Sequence, residues 1–184
     1  MAKRAENIFN IVLIGMPGSG KSTVGVILAK LMAFDFIDTD VLIQTSHFRS
    51  LQDIVNIDGH MALRRTEEET LLGLDCRNHV IATGGSAVYS HAAMMHLKSN
   101  GVIVFLDTAL PTLESRVKDF DTRGLAKRPD QSFAALFEER LTLYTRYADV
   151  TVKCADLTQE EICAESINEL RKKLTRGFSV HAGV

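Results

Sequence analysis

The chain alternates between short apolar runs rich in β-branched residues and longer stretches in which apolar residues recur every three or four positions. Short runs of this kind are typical of strands buried on both faces of a parallel sheet, and the longer spacing is typical of amphipathic helices. We predict strands at residues 8–14, 34–38, 78–83, 101–107 and 150–152. We predict that a helix begins after residue 20 and that another follows the turn at residues 84–86 and ends at about residue 99. The other predicted helices lie over 41–58, 60–77, 111–118, 131–147 and 158–174. The first helix is expected to bury one stripe, formed by Val24, Ile27, Leu28 and Leu31.

This alternation of strands and helices favours one doubly wound α/β domain, a three-layer fold with a parallel five-stranded sheet and helices on both faces. A chain of 184 residues is long enough for one such domain with a full core. We place the core at about 8–175 within 1–184, and we expect residues 177–184 to fray. The polar stretch 119–130 interrupts the pattern, and we expect it to be either a mobile lid or a solvated connector.

One glycine-rich segment, from Gly15 to Ser22, joins the first strand to the first helix and fits the pattern G-x-x-x-x-G-K-[ST]. A turn of this kind directs backbone N–H groups and a helix N-terminus towards one point, where a polyphosphate binds. We expect Lys21 to reach the β- and γ-phosphates and the Ser22 hydroxyl to bind Mg²⁺. The residues expected to bind nucleotide are Gly18, Ser19, Gly20, Lys21, Ser22 and Thr23. An accidental glycine-rich turn is the alternative, but the flanking strand and helix favour a P-loop fold.

Two carboxylates, Asp38 and Asp40, lie where the second predicted strand ends. Ligands collect at the carboxyl ends of strands in an open α/β sheet, so these two side chains could divide metal binding and substrate deprotonation between them. The structural alternative is that Asp40 only caps a helix that begins at Val41.

Arg64 lies on the predicted helix 60–77, at a spacing from which it can reach Glu67 and Glu68. Such pairs are usually solvent-exposed and contribute a few tenths of a kcal/mol. A functional arginine here would instead hold a carboxylate through two hydrogen bonds while Glu67 fixes its position.

Two loops also have functional interpretations. Gly84 and Gly85 follow the third strand, where they either let the backbone approach a ligand closely or form a simple tight turn. If the stretch 119–130 is a lid, its closure would exclude water and bring Arg128 to a phosphoryl group in transfer.

Net charge, cysteine content and the length of the apolar runs limit the kinds of partner that we expect. The formal net charge is −2, which gives no general attraction to nucleic acid or to an anionic membrane. Three cysteines without a C-x-x-C pair favour reduced thiols in the cytosol. No apolar run approaches the length of a membrane span, and no signal-peptide pattern precedes the first strand. We therefore expect a cytoplasmic monomer with a small-molecule substrate and with neither a nucleic-acid nor a membrane partner.

Taken in order, these motifs resemble the shikimate kinase family, small P-loop kinases of the nucleoside monophosphate kinase type. The similarity covers about residues 8–155. The matching segments are Gly15–Thr23, Asp38–Asp40, Arg64–Glu67, Gly84–Gly85, Lys127–Pro129 and Arg140–Tyr144. The P-loop alone is shared by a whole superfamily, whereas the ordered set is much more specific.

The resemblance implies transfer of the ATP γ-phosphoryl group to the 3-hydroxyl of shikimate, which gives shikimate 3-phosphate and ADP in aromatic amino acid biosynthesis. It implies ATP and Mg²⁺ as cofactors, with Ser22 and Asp38 positioning the metal. By the same resemblance, Lys21 and Arg128 stabilise the phosphoryl group and Asp40 deprotonates the hydroxyl. Residues implied at the acceptor site are Asp40, Arg64, Gly84, Gly85 and Arg140, and Arg123 is implied against the adenine.

The chain departs from the family pattern at Ser86, where a third glycine is usual, and at Leu63, where phenylalanine is usual. Both positions are expected to touch the acceptor. A serine at position 86 would be strained if the turn needs a positive φ, and otherwise its hydroxyl could point into the pocket. A kinase of the same architecture acting on another hydroxylated acid therefore remains an alternative, as does a regulatory nucleotide-binding module without turnover.

Overall fold

A computed structural model describes residues 9–116, 124–128 and 130–179. Within these ranges five parallel strands form one sheet in the order β2-β3-β1-β4-β5. The strands are β1 (Asn10–Ile14), β2 (Asp35–Asp38), β3 (His79–Ala82), β4 (Gly101–Asp107) and β5 (Val150–Lys153). The helices are α1 (Lys21–Met32), α2 (Thr39–His47), α3 (Leu51–Asp58), α4 (His60–Leu72), α5 (His91–Ser99), α6 (Leu110–Arg116), α7 (Phe133–Tyr147) and α8 (Gln159–Ser179).

The central strand β1 explains why the first predicted run is mostly apolar. All of its residues are buried, because it pairs with β3 on one side and β4 on the other and is covered on both faces. Val12 and Ile14 pack in the core cluster on the α5 and α7 face, and Ile11 and Leu13 pack in the cluster on the α1 and α8 face. The predicted three-layer α/β fold is therefore confirmed.

A smaller apolar cluster lies outside the sheet and fixes the position of α2, α3 and α4. It consists of Ile43, Ile54, Leu63 and Ala126, one from each of these helices and one from the segment 124–128. Leu63 is 1% exposed and is a core residue here, so its departure from the family pattern is accommodated by packing between helices. The cluster also attaches segment 124–128 to the helices.

Several predicted boundaries are corrected by local structure. Leu31 is exposed rather than part of the buried stripe of α1, because small residues such as Gly25 and Ala29 form the face that lies closest to the sheet. A Cβ on Gly25 would lie 2.5 Å from the Phe36 ring. The predicted helix 41–58 is two helices, since Ser50 and Asp53 form a capping box that starts α3.

The ends of two other helices also differ from the prediction. Helix α4 ends at Leu72 with Gly73 as its C-cap, so the predicted helix 60–77 is too long. Helix α8 continues to Ser179, which is beyond the point where fraying is predicted, and the rest of 177–184 lies outside the described residues. In the described ranges, no helix is both long enough and apolar enough to cross a membrane.

Half of the predicted lid 119–130 lies outside the described residues, and Arg123 lies there too. The described segment 124–128 is irregular in structure and starts with three buried residues, Gly124, Leu125 and Ala126. The Gly124 N–H donates to the Gln52 Oε1 atom of α3 over 2.6 Å. This segment is therefore held against α3, over the carboxyl edge of the sheet.

Candidate active site

A cleft of about 410 Å³ opens at the carboxyl edge of the sheet, where ligands collect in open α/β folds. The loop after β1 contributes the P-loop, the start of α2 contributes Asp40, and the turn after β3 contributes Gly85 and Ser86. Glu67 of α4 and Arg140 of α7 complete the opposite wall. The cleft thus has a P-loop at one end and a mixture of carboxyl and guanidinium groups at the other.

Lys21 is buried within the P-loop. Its Nζ atom donates to the carbonyl oxygens of Gly15 and Met16, each over 2.9 Å. Burial lowers the pKa of Lys21 to about 8, while the nearby Asp40 carboxylate opposes this shift. The amine is therefore held at the floor of the loop by neutral carbonyl groups, and it has no ion-pair partner among the described residues.

The other predicted nucleotide-binding residues separate into two groups. Those that line the cleft with Lys21 are Gly18, Gly20, Ser22 and Thr23. Ser19 does not line it; it is 1% exposed, and its Oγ atom has no hydrogen-bond partner in the described part of the chain.

Arg116 was not predicted, yet it lines the cleft and donates to the Gly18 carbonyl over 3.4 Å. No local motif marks this arginine, because its position depends on how α6 packs beside the P-loop.

Asp38 and Asp40 have different structural roles. The Asp38 Oδ1 atom accepts hydrogen bonds from the backbone N–H groups of Asp40 and Val41, so Asp38 caps a helix that begins at Thr39. The alternative prediction, that Asp40 caps a helix starting at Val41, is therefore wrong. The Asp40 Oδ1 atom is buried, and the described residues supply no hydrogen bond to it.

The environment of Asp40 favours its protonated form more than water does. Burial raises the pKa of the Asp40 carboxyl, and the charge of Lys21 partly opposes this effect. A buried carboxylate oxygen with no partner is costly, and groups of this kind are often found at functional sites. Asp40 therefore lines the cleft with a buried carboxylate oxygen that has no protein donor in the described structure, which suits a group that accepts a proton.

Glu67 lies beside Asp40 and was predicted only as a support for Arg64. It is 5% exposed, and burial together with the Asp40 charge raises the pKa of Glu67 to about 8. The described structure contains no ion pair between Arg64 and either Glu67 or Glu68, so those predicted pairs are wrong. The carboxyl group of Glu67 faces the cleft instead.

Glycine is required at positions 84 and 85 because other side chains lie close to the backbone there. A Cβ on Gly84 would collide with the Glu67 carboxylate and would lie 2.7 Å from the Asp40 Oδ1 atom. A Cβ on Gly85 would lie 2.7 Å from the Arg140 Nη1 atom. The interpretation of these glycines as a simple tight turn is therefore insufficient, because carboxyl and guanidinium groups occupy the space that side chains would need.

Arg64 and Arg140 come from different helices and converge on one oxygen atom. The Arg64 Nη2 atom donates to the Ala126 carbonyl oxygen over 3.3 Å, and the Arg140 Nη2 atom donates to the same oxygen over 3.1 Å. Arg140 is 1% exposed, whereas Arg64 is half-buried. Two guanidinium groups that share one acceptor oxygen form a suitable site for a carboxylate.

Arg128 does not line this cleft. Its side chain is exposed, and its Nη2 atom lies 3.5 Å from the Glu139 Oε2 atom. The same glutamate accepts hydrogen bonds from Tyr89 and Gln131. These contacts were not predicted, because they join three segments that are far apart in the sequence.

In the described ranges, no group of three or more His, Cys, Asp and Glu side chains could hold a metal ion. Ser22 provides a hydroxyl at the cleft, and Asp38 uses its Oδ1 atom as a helix cap. Oxygen ligands suit Mg²⁺, which is usually bound by one or two protein groups together with substrate phosphates and water. The donor set is therefore compatible with Mg²⁺ that is bound together with a nucleotide.

The sheet order, the P-loop between β1 and α1, and the buried arginine across the cleft define a P-loop protein of the small-molecule kinase class. A family model described as shikimate kinase matches residues 17–171. The chain belongs to the shikimate kinase family.

Individual relatives agree with this assignment. The chain is 34% identical to a shikimate kinase of Persephonella marina over 88% of this chain and 99% of that protein. Among solved structures, a shikimate kinase from Acinetobacter baumannii in complex with shikimate is similar, with a TM-score of 0.84, 27% identity and coverage of 91% of this chain and 95% of that one. A shikimate kinase from Aquifex aeolicus is similar with a TM-score of 0.75, 35% identity and coverage of 88% and 96%. The resemblance inferred from the ordered motifs is confirmed.

Proposed function

We propose that this protein transfers the γ-phosphoryl group of ATP to the 3-hydroxyl of shikimate, giving shikimate 3-phosphate and ADP in aromatic amino acid biosynthesis. The observation that carries the proposal is the arrangement of one cleft, with the P-loop lysine at one end, the Arg140 guanidinium at the other and the unpartnered Asp40 carboxylate oxygen in its wall. Arg64 does not line this cleft, but it donates to the same Ala126 carbonyl oxygen as Arg140. Membership of the shikimate kinase family supports the choice of acceptor. We further propose that the protein acts as a cytoplasmic monomer, without nucleic-acid or membrane partners.

At the nucleotide end, the P-loop backbone and Lys21 would bind the phosphates and stabilise the charge that develops during transfer. Mg²⁺ would be held by the Ser22 hydroxyl and by water on the remaining Asp38 oxygen, and it supplies charge neutralisation on the phosphate oxygens. We retain Arg128 as a catalytic group that a lid movement must first release from Glu139, and Arg123 as an adenine contact.

At the acceptor end, Arg64 and Arg140 would bind the substrate carboxylate in the place that the Ala126 carbonyl oxygen now occupies. The bare backbone at Gly84 and Gly85 lets the substrate ring approach. Asp40 would accept the proton of the attacking hydroxyl, since its Oδ1 atom is free of protein hydrogen bonds in the described structure.

A steady-state ADP-release assay with ATP and Mg²⁺ tests the proposal, with shikimate, quinate and other hydroxy acids as separate acceptors. Release of ADP that depends on shikimate is the expected result. Release that depends on another acid would identify a kinase with a different acceptor. Nucleotide binding without turnover on any acid would instead identify a regulatory module.

Arg64→Ala should raise KM for shikimate about ten- to a hundredfold, because the carboxylate loses a charge-assisted partner worth about 1.5–3 kcal/mol. KM for ATP should stay within twofold. The matched control is Arg65→Ala, which removes an exposed arginine from the adjacent position of α4. Equal losses for both substrates in Arg64→Ala would indicate misfolding or a nucleotide role.

Ser86, where a third glycine is usual in the family, needs a separate test. Two consequences of this serine were predicted, a strained turn or a hydroxyl that points into the pocket, and its backbone angle excludes the first. Its φ is −99°, so the serine is unstrained and the prediction of a strained turn does not apply. The Oγ atom is buried and has no hydrogen-bond partner within the described chain, and the residue lines the cleft. The hydroxyl is therefore available to a ring hydroxyl of the acceptor.

Ser86→Ala, which removes only the hydroxyl, and Ser86→Gly should each change KM for shikimate by less than tenfold, the range of about 1.4 kcal/mol that one neutral hydrogen bond supplies. The measurement is kcat/KM on shikimate and quinate for both variants and the wild type. If the wild type ignores shikimate and Ser86→Gly gains it, the proposed acceptor is wrong.

A further inference from the structure

The two acceptor-site arginines present an electrostatic difficulty. Their Nη2 atoms share the Ala126 carbonyl oxygen, so two positive charges lie close together in a partly desolvated place. Burial lowers the pKa of Arg64, and the Arg140 charge lowers it further. In the part of the chain that the structure describes, no carboxylate lies within ion-pair distance of either guanidinium. A group beside both guanidinium groups can offset part of their repulsion.

That group is the aromatic ring of Tyr89, in the turn that follows Ser86. The Arg64 Cζ atom lies 3.5 Å from the centroid of the Tyr89 ring, and the Arg140 Cζ atom lies 5.5 Å from it. The face of an aromatic ring carries negative potential and attracts a cation within about 6 Å of its centroid. A single ring thus contacts both arginines and offsets part of their mutual repulsion.

The ring is itself fixed by its hydroxyl group. The Tyr89 hydroxyl donates to the Glu139 Oε1 atom over 2.6 Å, and Gln131 donates to the other oxygen of Glu139 over 2.7 Å. Burial raises the pKa of Tyr89, so the hydroxyl remains a donor at neutral pH. Glu139 directly precedes Arg140 on α7, which ties the ring to the helix that carries the second arginine.

If the Tyr89 ring is removed, a second side-chain position is open to Arg64. A cavity of about 270 Å³ beside it is lined by Arg65, Glu68 and Tyr89. Glu68 lies one turn further along α4, at the spacing of a helical ion pair. Without the ring, Arg64 could turn towards Glu68 and away from Arg140.

We propose that Tyr89 is a positioning residue for acceptor binding: its ring holds the Arg64 guanidinium beside Arg140 in the orientation that a planar carboxylate requires. This inference rests on the proposed function, because it assumes an acidic acceptor. Tyr89 contacts the two arginines and not the reacting atoms. Its effect should therefore appear in KM for the acceptor and not in kcat.

The test compares Tyr89→Leu, which removes the ring, with Tyr89→Phe, which keeps the ring and removes only the hydroxyl with its contacts to Glu139 and Arg140. Tyr89→Leu should raise KM for shikimate about three- to thirtyfold, the range of a partly desolvated cation–π contact, with kcat and KM for ATP within twofold. Tyr89→Phe should stay within threefold of the wild type. In an Arg64→Ala background, Tyr89→Leu should produce no further rise, since the ring acts through Arg64.

Titration calorimetry of shikimate binding and thermal melting of each variant accompany the kinetics. Additive effects of Tyr89→Leu and Arg64→Ala, or an unchanged KM in Tyr89→Leu, would overturn the positioning role while wild-type turnover on shikimate leaves the proposed function standing. A wild type that neither binds nor phosphorylates shikimate would overturn the proposed function and this inference with it. A rise in KM for both substrates together with a lower melting temperature in Tyr89→Phe would show a structural role and overturn the inference alone.

Discussion

A Lys21→Met variant should show no measurable turnover, because it removes the cation at the floor of the P-loop where negative charge develops on the transferring phosphates. Methionine is similar in length and keeps the apolar part of the buried side chain. Lys30→Met is the matched control, since Lys30 is an exposed lysine on the same helix and should retain wild-type activity. The measurement is ADP release with saturating shikimate, and a kcat within tenfold of the wild type would contradict the role of Lys21.

The same variant should keep its melting temperature within a few degrees, because two effects oppose each other. The pKa of Lys21 is about 8 in the folded protein against 10.5 for an ordinary lysine, so the buried ammonium group reduces stability at pH 7. This penalty fades as pH rises from about 8 to about 10.5, where the unfolded chain binds more protons than the folded one. Methionine removes the penalty, but it leaves the Gly15 and Met16 carbonyl oxygens without their donor. Loss of activity with little change in stability would identify a functional lysine.

Asp40→Asn should lower kcat by about 10²- to 10⁴-fold, the usual contribution of a general base, while ATP affinity stays nearly unchanged. Asp35→Asn, at the exposed start of β2, is the matched control. Direct ATP titration of both variants separates the possible roles. If ATP affinity collapsed in Asp40→Asn, Asp40 would be a metal ligand or a structural residue instead of a base.

The pH dependence of kcat/KM is a second test of Asp40 as the base. Burial raises the pKa of its carboxyl above the ordinary aspartate value, with Lys21 opposing. A base must be ionised to accept a proton, so wild-type kcat/KM should fall on the acid side at a higher pH than for an exposed aspartate. That acid limb should shift in the residual activity of Asp40→Asn, because Asp40 no longer contributes to it. The adjacent Glu67, whose pKa is raised to about 8, titrates in the same cleft, so the limb belongs to the pair.

The fold was predictable because local patterns and tertiary structure agree. Every residue of β1 is buried, and apart from the first, Asn10, all of them are apolar. The P-loop was predictable for the same reason, since its glycines, its lysine and its flanking elements are contiguous. The stripe of α1 was predicted less well. Leu31 has the correct spacing, but close packing around Gly25 moved the buried face away from it.

The acceptor site was less predictable, because it is assembled from segments that are distant in the sequence. Arg64, Tyr89 and Ala126 lie on α4, on the turn after β3 and on the segment 124–128, and no spacing rule connects them. Glu67 was found only as a neighbour of Arg64, while its position opposite Gly84 depends on how α4 packs against that turn. Propensity and periodicity describe elements one at a time, whereas this geometry depends on contacts between them.

The Ala126 carbonyl group has a consequence for selectivity. It offers Arg64 and Arg140 a neutral dipole, and under the proposed function the acceptor carboxylate would exchange with it. An ester or amide of the acid presents another neutral carbonyl and gains little from the exchange, whereas an ionised carboxylate gains the attraction of two cations. Under the proposed function, the charge of the acid would therefore contribute to selectivity independently of the ring hydroxyls. Since Ala126 lies two residues before Arg128, the same exchange would also move the backbone that carries that arginine.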